Sequence, residues 1–220
     1  MDYPLHHDPR SSHQRIARLV RRLNAEPVLD VGAAAGNMGR LLAGSGLAID
    51  AIEPAGDAAA ACPFYRRVID DGIEDAQLEA ATYRVVICAD VLEHTADPVA
   101  VVRSLVAAAA PNATFVISLP NIAHLWARAI VLAGRFPQHD RGPFDRTHLH
   151  FYTRQTALEL LRDGGLRVDH IATTPVPLED VWPSWAPRSL LEPAMRLQTL
   201  AARLMPTAFA YQWLFVAHST

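Results

Sequence analysis

Lysine is missing altogether from this 220-residue chain, and all 20 basic residues are arginine. Alongside so much alanine, the bias reads as a GC-rich coding sequence rather than a functional adaptation. Cysteine is nearly as scarce. Cys62 and Cys88 fall in a predicted helix and a predicted buried strand, which suits two reduced thiols and excludes a disulfide scaffold. There is no basic stripe, and the net charge of −3 gives no general attraction to nucleic acid or to an anionic membrane. An unbroken apolar run of membrane length is also lacking. The longest uncharged stretch, which includes 104–122, is interrupted by Pro111 and Asn112, and 104–122 reads as helix end, turn and strand. The first residues carry Asp2, His6, His7 and Asp8 in place of an apolar signal segment, so a cytoplasmic protein is expected. Half of the residues are hydrophobic, enough for a sizeable core, and the length suits one domain over 1–220.

What is present is concentrated in residues 28–39, Val-Leu-Asp-Val-Gly-Ala-Ala-Ala-Gly-Asn-Met-Gly. Three apolar residues and Asp30 read as a short buried strand. Gly32 and Gly36 then allow a tight turn, and Asn37 starts a helix. Such a strand–loop–helix unit brings backbone N–H groups against a nucleotide. The next strand, 47–52, ends at Glu53, a carboxylate placed to accept hydrogen bonds from two ribose hydroxyls. A dinucleotide fingerprint requires glycine where Ala34 stands, because the pyrophosphate presses on the backbone there. Asp30 would repel a diphosphate and would favour a cationic sulfonium amino acid. A nicotinamide oxidoreductase therefore ranks last.

Along the chain, strands at 27–31, 47–52, 65–69, 83–88 and 113–119 alternate with helices at 37–43, 55–61, 98–109 and 121–133. A helix at 12–23, within an N-terminal helix or lid over 1–26, precedes them. This alternation predicts an α/β, doubly wound, mostly parallel Rossmann-like sheet with helices on both faces and ligands at the carboxyl ends of its strands. A helix at 153–163 stops at Gly164-Gly165, and strands 166–173 and 210–217 complete a seven-stranded sheet. Insertions at 134–150 and 175–206 interrupt the pattern, and substrate choice is expected there. In the second, Leu190, Ala194, Leu197, Ala201 and Leu204 follow helical spacing. They are expected to pack on the sheet or on a second subunit, which allows a homodimer. A membrane-interface role for that helix ranks second, because Pro193 interrupts it and its charge is modest.

Asp30-Val31-Gly32-Ala33-Ala34-Ala35-Gly36 resembles the first motif of class I S-adenosylmethionine-dependent methyltransferases, D-x-G-x-G-x-G, with the middle glycine replaced. Residues 83–98, which include Asp90-Val-Leu-Glu93-His94, look like the fourth strand and following loop of ubiquinone-type and related small-molecule methyltransferases. Residues 118–121, Ser-Leu-Pro-Asn, and 145–152, Asp-Arg-Thr-His-Leu-His-Phe-Tyr, are similar to segments of bacterial methyltransferases of sugar, polysaccharide and natural-product pathways. The resemblance covers about residues 13–175, with an echo at 208–217. It implies S-adenosyl-L-methionine as cofactor and an antiparallel last strand. The expected contacts are Gly32, Ala34 and Gly36 in the loop, Asp30 at the methionine amino end and Glu53 at the ribose. Asp71 or Ile73 would lie near adenine, and Ala89 and Asp90 beside the methionine part.

Methyl transfer to a hydroxyl also needs help in removing a proton. Asp90, Glu93, His94 and His148 should meet at the carboxyl edge. The set is similar to that of small-RNA 2′-O-methyltransferases, which use Glu-x-x-Glu-His and a later His to hold a metal; here Asp90 replaces the first Glu. A metal-free general base, His148 or His94, ranks above a metal, and no metal ligand is assigned. A purely structural role is the remaining reading. His150, which shares a side with His148 in an extended segment, reads as a half-buried core histidine. Arg128, Arg135, Arg141 and Arg146 suit either a phosphate-bearing acceptor or a solvated face. The expected function is methyl transfer to a hydroxyl of a sugar, glycan precursor or aromatic metabolite. The alternatives are metal-assisted 2′-O-methylation of an RNA 3′ end, disfavoured by the missing basic stripe, and a non-catalytic cofactor-binding protein.

Overall fold

The computed structural model describes residues 8–54, 56 and 62–220. Apart from Gly56, the helix expected at 55–61 lies outside them. Five parallel strands, β1 (Val28–Val31), β2 (Ile49–Ile52), β3 (Arg67–Ile69), β4 (Tyr83–Ala89) and β5 (Ala109–Pro120), join β6 (Leu166–Thr174) and β7 (Gln212–Ser219) in one seven-stranded sheet. The order is β3-β2-β1-β4-β5-β7-β6, with β7 antiparallel to both of its neighbours. β1 and β2 are buried along their whole length, as strands covered on both faces must be, and they accordingly read as apolar runs rather than alternations.

Helices cover both faces. α1 (Ser12–Leu23) is capped by Ser11 Oγ, which accepts from Gln14 N–H, and its Ile16, Ala17 and Val20 pack on Val28, Ile49, Val85, Ile87 and Val116. α2 (Asn37–Leu42) follows the glycine loop. α3 (Pro98–Ala108), capped by Asp97, and α5 (Arg154–Asp163), closed by a Thr153–Thr156 capping box, cover the other face. There Val101, Val102, Leu105, Leu160 and Leu161 meet Val86, Cys88, Phe115 and Ile117. The alternation of β4 thus sends Val85 and Ile87 to one layer and Val86 and Cys88 to the other. Cys62 and Cys88 are both buried free thiols.

Two sequence expectations are corrected. α4 (Leu125–Leu132) begins later than predicted because Asn121 is a buried staple. Its Nδ2 donates to the carbonyls of Thr207 and Ala210, and its Oδ1 accepts from Ala123 N–H. In the second insertion, which holds α6 (Leu178–Val181), α7 (Leu191–Leu204) and α8 (Pro206–Phe209), the leucines of the predicted stripe do not pack on the sheet, which leaves the second-subunit alternative untested. Leu190, Leu197 and Leu204 are exposed, and Met195 and Ala202 are buried instead. Both insertions leave from the carboxyl edge: Pro120 and Thr174 each pair with Gln212, where β7 begins.

Candidate active site

The strand order reverses at β1, which lies between β2 and β4, and ligands of such sheets settle outside the strand ends at that point. A cavity of about 770 Å³ opens there, within the roughly 300–1,000 Å³ range of small-molecule sites. Of the expected cofactor contacts, Asp30, Gly32, Ala34, Glu53, Ile73, Ala89 and Asp90 line it. Two do not. Gly36 turns the chain into α2, with Cys62 where a side chain would go, and Asp71 folds back to accept from Gly72 N–H at 2.9 Å.

The loop is held at its replaced glycine. Ala34 adopts a φ of 45°, the left-handed region that a side chain disfavours. Its N–H donates to Glu53 Oε2 at 2.6 Å, which ties the loop to the end of β2 and fixes that carboxylate. Gly32 has a φ of 70°, and a Cβ there would lie 2.5 Å from Val91 Cγ2. Asp30 is buried at the end of β1, where Tyr65 donates its phenol hydrogen to Oδ2 at 2.5 Å. Burial pushes the Asp30 carboxyl up to about 7; the Tyr65 bond opposes the rise and the charge of Glu53 adds to it. Tyr65 was not anticipated, since nothing around it in the sequence marks it as the partner of a residue 35 positions away. The wall fits S-adenosylmethionine: a buried acid for a cationic end, a carboxylate for vicinal hydroxyls, and a loop without side chain at Gly32.

Across the cavity, Asp90, Glu93, His94 and His148 all contribute to the wall, but the structure divides them. Asp90, at a φ of 55°, accepts from Ser118 Oγ at 3.0 Å and from Gln212 Nε2 at 2.6 Å. Glu93 sits in a single 3₁₀ turn, Leu92–His94, with its side chain 1% exposed and neither oxygen hydrogen-bonded among the described residues. Burial holds this carboxyl well above the usual carboxylate range, and the charge of Asp90 adds to the effect. The carbonyl of Glu93 accepts from Leu149 N–H at 2.8 Å, which brings the first insertion, and His148 with it, to this place.

His148 Nε2 lies 4.0 Å from Glu93 Oε1, too far for a hydrogen bond. No ion pair forms, because burial, reinforced by His94, pushes His148 down to about 4 and leaves the ring neutral. One ring nitrogen of His148 donates to the Pro143 carbonyl. The His94 and His148 rings meet edge to face with centroids 4.8 Å apart. The tautomer of His94 follows from its neighbours. Thr147 Oγ1 donates its one hydrogen to Asp145 Oδ1 at 2.7 Å, so it accepts from His94 Nδ1 at 3.1 Å, as does the Thr147 carbonyl at 3.2 Å. Nδ1 therefore carries a proton, and the neutral ring has its lone pair at Nε2. Glu93, His94 and His148 together offer three metal-ligating atoms within 4.8 Å of one another.

The remaining nominated residues separate cleanly. Residues 148–150 are not a strand; His150 is half-buried with its ring 6.2 Å from that of Tyr152, and it does not line the cavity. Of the four arginines only Arg141 reaches the wall. Arg128 donates to the Ala123 carbonyl, and Arg146 pairs with Asp140.

A family model described as a methyltransferase domain matches residues 5–171. No curated protein matches the chain significantly. Among solved structures, the chain is similar to an S-adenosylmethionine-dependent methyltransferase from Archaeoglobus fulgidus, with a TM-score of 0.63 at 16% identity over 96% of each chain. It is similar to another from Mesorhizobium loti, with a TM-score of 0.60 at 18% identity over 94% of this chain and 98% of that one. A third is the 1,6-didemethyltoxoflavin N1-methyltransferase of Burkholderia thailandensis, solved with its acceptor and S-adenosylhomocysteine, with a TM-score of 0.61 at 14% identity over 96% and 79%. A family match over most of the chain, on this sheet order and this acid-lined switch-point cavity, leaves one lineage: the chain belongs to the class I S-adenosylmethionine-dependent methyltransferases.

Proposed function

We propose that the enzyme methylates a hydroxyl of a small acceptor, a sugar, glycan precursor or aromatic metabolite. The observation that carries this reading is the edge-to-face pair His94–His148, placed with Glu93 on the cavity wall facing the loop and Glu53. When bound, S-adenosylmethionine supplies a methyl group already activated on a sulfonium. The chain's part is to bind, align and deprotonate. Asp30 takes the amino end, Glu53 the ribose hydroxyls, and Ile73 the adenine side. Ala89 and Asp90 border the methionine part. Holding nucleophile and methyl in line is worth roughly 7–11 kcal/mol in favourable cases. His94 Nε2, with its lone pair free, accepts the hydroxyl proton, and His148 lies edge-on beside it. Arg141 would meet a phosphate if the acceptor carries one.

One structural neighbour, an N1-methyltransferase, was solved with bound 1,6-didemethyltoxoflavin, which supports a small-molecule acceptor here but not the choice of oxygen. The test is transfer of labelled methyl from S-adenosylmethionine to panels of sugar, glycan-precursor and phenolic acceptors. Label in a methyl ether is expected. Label found only on nitrogen or carbon, or none with any hydroxyl acceptor, would overturn the assignment.

A further inference from the structure

We propose that Glu93, His94 and His148 form a binding site for a divalent transition-metal ion that presents open coordination positions to the acceptor. The first argument is the Glu93 carboxylate. Both of its oxygens are sealed from solvent and have no hydrogen-bond partner on another residue among the described residues, although a native interior satisfies nearly all of its buried polar atoms. One ligand atom from each of the three residues falls within 4.8 Å of the others.

The second argument comes from the other nitrogen of each imidazole. A metal-bound histidine is held in orientation by a hydrogen bond from its other ring nitrogen. His94 gives its Nδ1 hydrogen to Thr147, itself anchored on Asp145, and His148 donates to the Pro143 carbonyl. In its neutral form each ring then has its other nitrogen to offer. Asp90, which is near in sequence, is excluded because both of its oxygens are engaged by Ser118 and Gln212.

Two imidazoles and one carboxylate, with no thiolate, suit zinc, cobalt, iron or manganese in the divalent state rather than calcium. Ligand distances of about 2.0–2.2 Å place the donor atoms of a tetrahedral ion roughly 3.4 Å apart, so the three groups need approach by up to about 1.4 Å. Three protein ligands leave positions for acceptor oxygens. A hydroxyl bound there would lose its proton to water, and the histidines would then serve as ligands instead of base. The inference keeps the hydroxyl-transfer reading but replaces His94 as its base in the ion-loaded enzyme; it rests on that reading for its role, but not for the binding itself.

The experiment titrates chelator-stripped, full-length protein with Zn²⁺ and, separately, Co²⁺, by calorimetry and by the visible absorption of cobalt. One equivalent per chain is expected. Glu93→Gln and the double variant His94→Ala/His148→Ala should each weaken binding by more than about a hundredfold. Affinity for S-adenosylhomocysteine, measured on the same samples, should hold within about threefold and so report intact folding. Absence of stoichiometric uptake, or uptake undiminished in the double variant, overturns the site; the chain has 10 histidines, so the second result would put the ion elsewhere. Ion bound at the trio with methyl transfer unchanged after stripping overturns its role and leaves His94 as base. Ion bound at the trio with no hydroxyl acceptor methylated leaves the site standing and removes the hydroxyl reading.

Discussion

At the scale of single residues, Asp30 holds its carboxyl inside the sheet, where the Tyr65 phenol donates to it, and a proton is retained there up to about pH 7. A cation brought beside it expels that proton, so cofactor binding should release a proton below neutrality. The affinity for S-adenosylmethionine is therefore expected to fall as pH drops below 7, by up to about tenfold per unit. In Asp30→Asn the affinity should be weaker and this pH dependence flat; calorimetry between pH 5.5 and 8 measures both. Because the folded value is raised above the unfolded one, the cofactor-free protein should lose stability as pH rises from about 4 to about 7, and change no further above that. Thr147 tests the catalytic side. Thr147→Val removes the hydroxyl that accepts from His94 Nδ1 and leaves the carbonyl. Turnover should drop about tenfold or more, with the cofactor dissociation constant unchanged. Equal loss in both would mark Thr147 as a folding residue only.

Elements meet most tightly where α5 ends against α3. A Cβ on Gly164 would lie 2.3 Å from Val102 Cγ1, inside a contact that neither helix can relieve without moving. Gly164→Ala should destabilise by about 1–3 kcal/mol, read from urea unfolding. The loop behaves differently. Gly32→Ala meets Val91 and needs a left-handed φ in a residue with a side chain, so it should damage cofactor affinity as well as stability. The two substitutions separate packing from site. Strand and helix positions were legible in the sequence where apolar runs and caps are local: Asp97 and Thr153 cap the helices that follow them. The start of α4 was not, because the partners of Asn121 are the carbonyls of Thr207 and Ala210, 86 and 89 residues away.

For the molecule as a whole, ligand binding and folding are linked. S-adenosylhomocysteine at a hundred times its dissociation constant should stabilise the fold by about 2.7 kcal/mol. For a chain of this length that is a rise in Tm of about 5–11 °C, with none for NAD⁺. No helix among the described residues is long and apolar enough to cross a membrane. The exposed large apolar side chains fall almost entirely in α4 and the two insertions, with Phe64 and Phe151 outside them. Much of the surface chemistry is thus gathered at the sheet edge that holds the cavity.

By itself the sequence determined the elements, the parallel order of a doubly wound sheet, the glycine loop and the acids at the ends of β1 and β2. Those features depend on residues a few positions apart, whose periodicity and turn chemistry are read locally. It also nominated Asp90, Glu93, His94 and His148, but as an undivided set. Only the tertiary structure separated Asp90, held by Ser118 and Gln212, from Glu93, whose oxygens have no hydrogen-bond partner on another residue among the described residues. It alone fixed the tautomer of His94 through Thr147 and Asp145, and turned Leu197 and Leu204 outward. Burial and hydrogen bonding between distant segments decide which carboxylate keeps its proton, which imidazole keeps its lone pair and which apolar face stays uncovered. Those partners are chosen by how the two insertions fold over the sheet, and no local spacing encodes that choice.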